Sequence, residues 1–297
     1  MDVKEYRKSY EAELAAHAAT ADAGVRSPGL AATAAAGDAS QQRLTEIKRV
    51  PLDRAAFSEK IPALLATLGN ADAPTEVRLA ALNALGAATF LGEHFAPFRA
   101  DYLNTLRQIV RPGTDPRLCE EALAVLAGEK DSDIQQLLRR GLQDPKSALV
   151  SPIKALQLLS FDDHAGIADI ALNLFHSATD TALKEAALRV LATDPKSQGL
   201  FEQLLQDKKQ PLSLRTLSAT GLHFLNPQKF ADVARSIVMD KSDSEDIRAT
   251  TLGALANAPD HHVLHGDSDF LDTVRQLGAD NTLKDLSLAA RRMIAKP

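Results

Sequence analysis

The chain has 297 residues, 45% hydrophobic and 25% charged, a balance that buries a core and excludes wholesale disorder or a collagen-like repeat. Aromatic residues make up only 4%, with no Trp, so the core is aliphatic and stacking platforms for bases or sugars are few. A single cysteine excludes an internal disulfide, no apolar run approaches the ~18 residues of a membrane span, and a net charge of −5 has the wrong sign for a general polyanion binder.

The chain opens Met1-Asp2-Val3-Lys4-Glu5, without the apolar stretch of a secretory signal. A cytoplasmic protein is expected, with a periplasmic one as the alternative if a leader has been removed. Residues 1–19 place Val3, Tyr6, Tyr10 and Leu14 at three- and four-residue steps, with Lys4, Arg7, Lys8, Glu11 and Glu13 on the other side. That spacing predicts an amphipathic helix whose stripe docks on its own fold or on a partner, which makes Tyr6, Tyr10 and Leu14 candidate partner-binding residues. Residues 20–41 are rich in Ala, Gly, Ser and Thr without periodicity and read as a flexible linker.

Residues 42–297 are repetitive. An apolar anchor followed by small or apolar residues four, five and eight positions later lies on one helical face, and the pattern recurs from Val77, Leu118, Leu183, Leu214, Ile247 and Leu283. A seventh copy has the polar anchor Ser151, and in the last copy Arg291 stands at the final apolar position. Successive anchors lie 41, 33, 32, 31, 33 and 36 residues apart. Between these helices the pattern predicts seven others, at 57–68, 99–110, 132–142, 164–175, 198–206, 228–239 and 268–277. Asp144-Pro145, Asp194-Pro195 and Asn226-Pro227 punctuate the array where proline ends one helix and starts the next. No stretch alternates with period two, so no sheet is expected.

The segments Thr75–Gly86 and Glu245–Leu255 resemble HEAT repeats, whose second helix carries an apolar residue, then Arg or Lys, then an Ala-Leu pair, with an Asp upstream. The basic position is filled by Arg78, Lys184, Arg215, Arg248 and Lys284, while Cys119 and Pro152 depart from it. An Asp precedes every anchor by three to seven residues: Asp72, Asp115, Asp144, Asp180, Asp207, Asp243 and Asp280. The resemblance implies an all-α fold, an α-α superhelix or armadillo-like solenoid of about seven hairpins, and carries no activity with it. A hairpin of ~34 residues cannot close a core alone, so each stacks on its neighbour.

Three residue sets could carry more than packing. The run Asp260–Asp269 holds three of the eight histidines, and His261 and His265, four apart, are weak metal candidates; incidental surface histidines are the favoured reading, so no metal or other cofactor is expected. The stretch from Phe90 to Tyr102 gathers Phe90, Phe95, Phe98 and Tyr102, which either anchor a partner or pin the loop to the next helix, the latter being preferred. The once-per-repeat basic row either tracks a phosphate backbone or forms a ladder with the recurring Asp residues, and the ladder is favoured by the acidic balance.

No Gly-rich phosphate loop, nucleophile elbow, His-Glu-x-x-His or paired-cysteine motif is present, and Cys119 has no neighbouring base. The expectation is therefore a non-catalytic scaffold or accessory subunit, not an enzyme, with a protein or peptide as partner and neither membrane nor nucleic acid. The floor of its concave groove is expected at the solvent-facing position six after each anchor: Asn83, Ala124, Gln157, Arg189, Thr220, Gly253 and Ala289. The alternatives are a HEAT-type enzyme subunit similar to phycobilin lyases, for which no diagnostic residue stands out, and a nucleic-acid-binding solenoid. Deoxyhypusine hydroxylases are similar in fold but use several His-Glu pairs for iron, of which only the reversed Glu93-His94 occurs here. Alkylpurine glycosylases use groove aromatics, and the missing Trp argues against them.

Overall fold

The computed structural model describes residues 44, 45, 47, 54–162, 166–257, 267–280 and 282–295, with residues 54–58 as backbone only. The predicted N-terminal helix with Tyr6, Tyr10 and Leu14, the linker, and the histidines His261 and His265 all lie outside the described residues. Among the described residues the fold is all-α, with fourteen α-helices, four short 3-10 turns and no strand. Two compact units divide between Phe90 and Leu91.

The first unit contains one described hairpin, α1 (Arg54–Gly69) and α2 (Thr75–Thr89). Ile61, Leu64 and Leu68 of α1 meet the anchor stripe Val77, Ala81, Leu82 and Leu85 of α2, all buried. Arg78 donates from Nε to the Leu68 carbonyl at 2.9 Å, satisfying an acceptor that the end of α1 cannot pair within its own helix.

The second unit contains six hairpins. They are α3 (Arg99–Ile109) with α4 (Pro116–Gly128), α5 (Ser132–Gln143) with α6 (Pro152–Leu159), and α7 (Ala168–Ser177) with α8 (Thr181–Leu191). The series continues with α9 (Gln198–Gln206) and α10 (Leu212–Leu225), α11 (Pro227–Met239) and α12 (Glu245–Asn257), and α13 (Ser268–Ala279) and α14 (Lys284–Ile294). These bounds match the seven predicted pairs to within a few residues, because the 3.6-residue stripe and the flanking Pro and Asp signals agree at each end. Side-chain caps hold several starts: Asp115 accepts from Arg117 N and Leu118 N, Asp180 from Ala182 N and Leu183 N, and Asn226 from Lys229 N. Each such cap stabilises its helix by about 1 kcal/mol.

Every residue four, five and eight after an anchor is buried in α4, α6, α8, α10 and α12. Two of these are polar and are satisfied inside their own helix: Ser218 donates to the Leu214 carbonyl and Thr251 to the Ile247 carbonyl. The small residues at the fourth position let neighbouring second helices approach, and the contacts run continuously from α4 through α6, α8, α10 and α12 to α14. The first helices touch their successors less, with contacts from α9 to α11 to α13. Their aromatic residues Phe201, Phe230 and Phe270 fill the space between the layers and are fully buried. Gly221 on α10 is what admits the Phe201 ring, since a Cβ there would stand 2.7–2.8 Å from it.

The last hairpin departs from the pattern. Its buried set shifts to Leu286, Ser287, Ala289, Ala290 and Met293, while Leu288, at the position that is buried elsewhere, is 49% exposed. Ser287 and Arg291 both donate to the Gly278 carbonyl of α13, at 3.2 and 2.8 Å, which turns this helix about its axis relative to its predecessors. Ala289, expected to face solvent, is therefore buried.

Candidate functional site

The position six after each anchor varies in exposure along the second helices. Gln157 of α6, Arg189 of α8 and Thr220 of α10 are exposed, and Ala124 and Gly253 at the equivalent positions are half-buried. Because α6 touches α8 and α8 touches α10, Gln157, Arg189 and Thr220 share one surface of the second unit. Asn83, in the first unit, is likewise exposed. Four residues further along the chain stand Gly128, Phe224 and Asn257 on their helices, and Phe161 and Thr193 in the turns just past the ends of α6 and α8, all exposed. Phe224 is 71% and Phe161 49% exposed, in a protein whose other described phenylalanines are mostly interior. Sequence reasoning passed over both, although the anchor frame that located Gln157 and Thr220 would have placed them ten positions after Ser151 and Leu214.

The basic row does not form the expected ladder. Arg78, Arg215 and Arg248 each reach back ten residues to a carbonyl at the end of the preceding helix: Leu68, Leu205 and Val238, at 2.9, 2.9 and 3.1 Å from Nε. Arg215 also joins an Asp from the expected set, donating from both terminal nitrogens to the Asp243 carboxylate of the next repeat at 2.7 Å. The pair is buried; burial pushes the Asp243 carboxyl up, and the Arg215 hydrogen bonds with the Ser244 N–H overcome this and hold it below the usual carboxylate range. Lys184 instead lies 5.7 Å from the centroid of the Phe175 ring. The other upstream Asp residues serve helix starts and turns, as Asp115, Asp144 and Asp180 do. Arg215 and Arg248 are thereby committed to the inside of the fold, and Arg78 is half-buried.

Inter-repeat ion pairs form on the first-helix side instead: Arg107 with Asp131 at 2.6 Å, Lys208 with Asp240, and Arg235 with Asp267. The Lys208 ammonium and Ser242 hold the Asp240 carboxyl well below its ordinary range, and Arg235 does the same for Asp267.

The aromatic stretch divides in two. Phe95 and Tyr102 are buried against each other edge to face, with centroids 5.6 Å apart, so they pin the loop; Phe90 is 84% exposed. Burial and the Glu129 carboxylate push the Tyr102 phenol up to about 12, and its hydroxyl is enclosed without a hydrogen-bond partner. Cys119 is buried on α4, and burial followed by Glu120 pushes its thiol up, the opposite of what activates a nucleophile. Among the described residues no three His, Cys, Asp or Glu side chains converge as a metal site, and no helix is long and apolar enough to cross a membrane. A cavity of about 10 Å³ between α5 and α6, lined by Leu138, Gly141, Leu142, Ala148 and Ala155, is apolar and no larger than one water.

No protein-family model matches the chain, and no curated protein matches it. Among solved structures it is similar to human deoxyhypusine hydroxylase in complex with glycerol, at 14% identity and a TM-score of 0.35, over 82% of this chain and 98% of that one. The expectation that the chain is not an enzyme is corrected by this finding: a solved structure to which it is similar is itself an enzyme, so helical-repeat build gives no ground for excluding catalysis. A likeness this distant transfers no activity, substrate or metal to the present chain.

Proposed function

We propose that the chain is a HEAT-like repeat protein that binds a protein or peptide partner on the outward register of its second helices. The observation that carries this reading is the recurrence of exposed side chains at one register, Gln157, Arg189 and Thr220, on helices in direct contact. Second helices that touch in succession form one continuous layer, on which a partner meets several repeats at once. The side chains there are mixed and mostly uncharged, which suits a peptide or a partner's helix better than a phosphate backbone.

The test is panning of a displayed peptide library against the full chain, followed by titration of the recovered peptides. A Q157R/R189E/T220R variant, altered only at exposed positions, should keep its thermal melting and lose at least about tenfold in affinity. Unchanged affinity in that variant would refute the surface. An enzyme assembly in which this chain is one subunit is the second reading, and reconstitution would mark it by an activity that the triple variant no longer supports.

A further inference from the structure

Successive hairpins of the second unit are not fastened to one another alike. Hairpin α3/α4 is tied forward by Arg107, which reaches Asp131 at the start of α5. Hairpin α9/α10 is tied forward three times: Lys208 pairs with Asp240, Glu202 of α9 with Lys229 of α11 at 2.9 Å, and the buried Arg215 with Asp243. Hairpin α11/α12 is tied forward by Arg235, which pairs with Asp267. Among the described residues no side-chain hydrogen bond or ion pair crosses from hairpin α7/α8 to hairpin α9/α10. The polar groups on the α8 side close on their own hairpin or turn: Glu185 pairs with Arg189, Thr193 donates to the Val190 carbonyl at 3.1 Å, and Asp194 accepts from Lys196 N and the Ser197 hydroxyl. Those at the start of α9 reach forward, Gln198 accepting from Asn226 at 3.1 Å and Glu202 from Lys229.

Packing shows the same asymmetry. Helices α8 and α10 lie against each other, with Ala187, Leu191, Ser218 and Leu222 buried, whereas α7 has no contact with α9 comparable to that of α9 with α11. The joint is therefore held along one edge, the second helices, and untied along the other. An apolar edge resists separation but not rotation, because the attraction between apolar surfaces has no preferred direction; a hydrogen-bonded ion pair fixes both a distance and an angle. We infer that this joint is a hinge, at which hairpin α7/α8 turns against the tied block α9–α14 about the line where α8 meets α10. Hinge motion is absorbed by a few residues at element ends. Here they are residues 192–197, whose side-chain bonds stay within the turn or reach back only to α8 and so do not oppose the rotation. Arg189 of α8 and Thr220 of α10 stand on opposite sides of the hinge, which thus sets the angle between them. The device needs no partner, so it stands or falls apart from the binding reading above.

The test is double electron–electron resonance on the full chain, with nitroxide labels at exposed positions of first helices two apart. The pair N173C/S236C runs from α7 to α11 across the hinge, and Q203C/Q276C runs from α9 to α13 within the tied block. Helices packed side by side lie 8–10 Å apart, so both pairs span roughly 16–20 Å and differ in the joints between them. Cys119 is replaced by Ala in both, or by Val should C119A lower the melting temperature. The distance distribution of N173C/S236C should be at least about twice as wide as that of Q203C/Q276C. R235A removes the ion pair between α11 and α13 and leaves that joint with its second-helix edge, as at the hinge; it should widen the Q203C/Q276C distribution by a comparable factor, and R235M, which keeps most of the side-chain stem, should do the same. Equal widths for the two pairs, or a Q203C/Q276C width that neither R235A nor R235M moves, overturns the inference.

Discussion

Replacing Arg215 by Ala should unfold the second unit more readily than any single change on its surface. Arg215 and Asp243 are 4% and 3% exposed in their side chains, and three hydrogen bonds of 2.7–2.9 Å leave the guanidinium, to the two Asp243 oxygens and the Leu205 carbonyl. Truncation strands a carboxylate in the interior and orphans a helix-end acceptor at once. Removing one partner of a buried ion pair costs about 3–5 kcal/mol, which in a unit of this size lowers the melting temperature by about 6–20 °C. Replacing both partners by apolar residues, as in R215M/D243L, should recover most of that loss, because the stranded charge is the main cost.

The pH dependence is a second, independent readout. The Asp243 carboxyl is lowered in the folded chain, so its contribution is present above its unfolded value of about 4 and lost as the pH falls toward the folded one. In R215A the hydrogen bonds that lower it are gone, and the wild type's advantage should narrow steadily in calorimetric scans below about pH 4. A loss under about 1 kcal/mol at pH 7, or a gap that does not change with pH, would refute the assignment of this pair as a structural clamp.

Gly221→Ala should cost about 1–3 kcal/mol, because its Cβ would meet the Phe201 ring at 2.7–2.8 Å, and urea melts should show partial rescue by Phe201→Leu. Ala187→Leu places extra volume at a fully buried junction between second helices and should lose a similar ~1–3 kcal/mol in the same assay; an unchanged midpoint would contradict the interior placement of that face. Tyr102→Phe removes an enclosed hydroxyl that has no partner and should leave stability unchanged or raise it by about 1 kcal/mol, measured by thermal melting. The carboxyls of Asp207, Asp240, Asp267 and Asp280 are all lowered, chiefly by side-chain hydrogen bonds, so acid titration followed by circular dichroism should show helicity falling as the pH drops below the ordinary carboxylate range.

The helices were readable from the sequence because the apolar stripes, the Asp upstream of each anchor, and the Pro at several boundaries agree. What a basic residue bonds to was not. Arg78, Arg215 and Arg248 occupy one slot in the repeat with an Asp a few residues upstream, but the slot does not reveal the helix end ten residues back whose carbonyl each guanidinium reaches. Ala289 was misplaced for a related reason: the bonds from Ser287 and Arg291 to Gly278 turn α14, and that rotation lies in no local pattern. Phe161 and Phe224 lie past or at the end of their helices, where the repeat period no longer fixes which side faces solvent. Exposure at Asn83, Gln157, Arg189 and Thr220 was legible from their offset to a buried anchor, while the same offset leaves Ala124 and Gly253 half-buried and Ala289 buried.

The arginine that reaches back to its hairpin's own first helix has a mechanical meaning. At Arg78, Arg215 and Arg248 it locks the two rods of a hairpin in register, so pulling strains the seams beside these hairpins before it loosens the hairpins themselves. Apart from the one closed by the buried Arg215–Asp243 pair, those seams are made of small side chains and surface ion pairs, which yield and reform more easily than a guanidinium held on a carbonyl. Stretching should therefore be taken up as many small adjustments shared along the row, with each hairpin carried through as a stiff element.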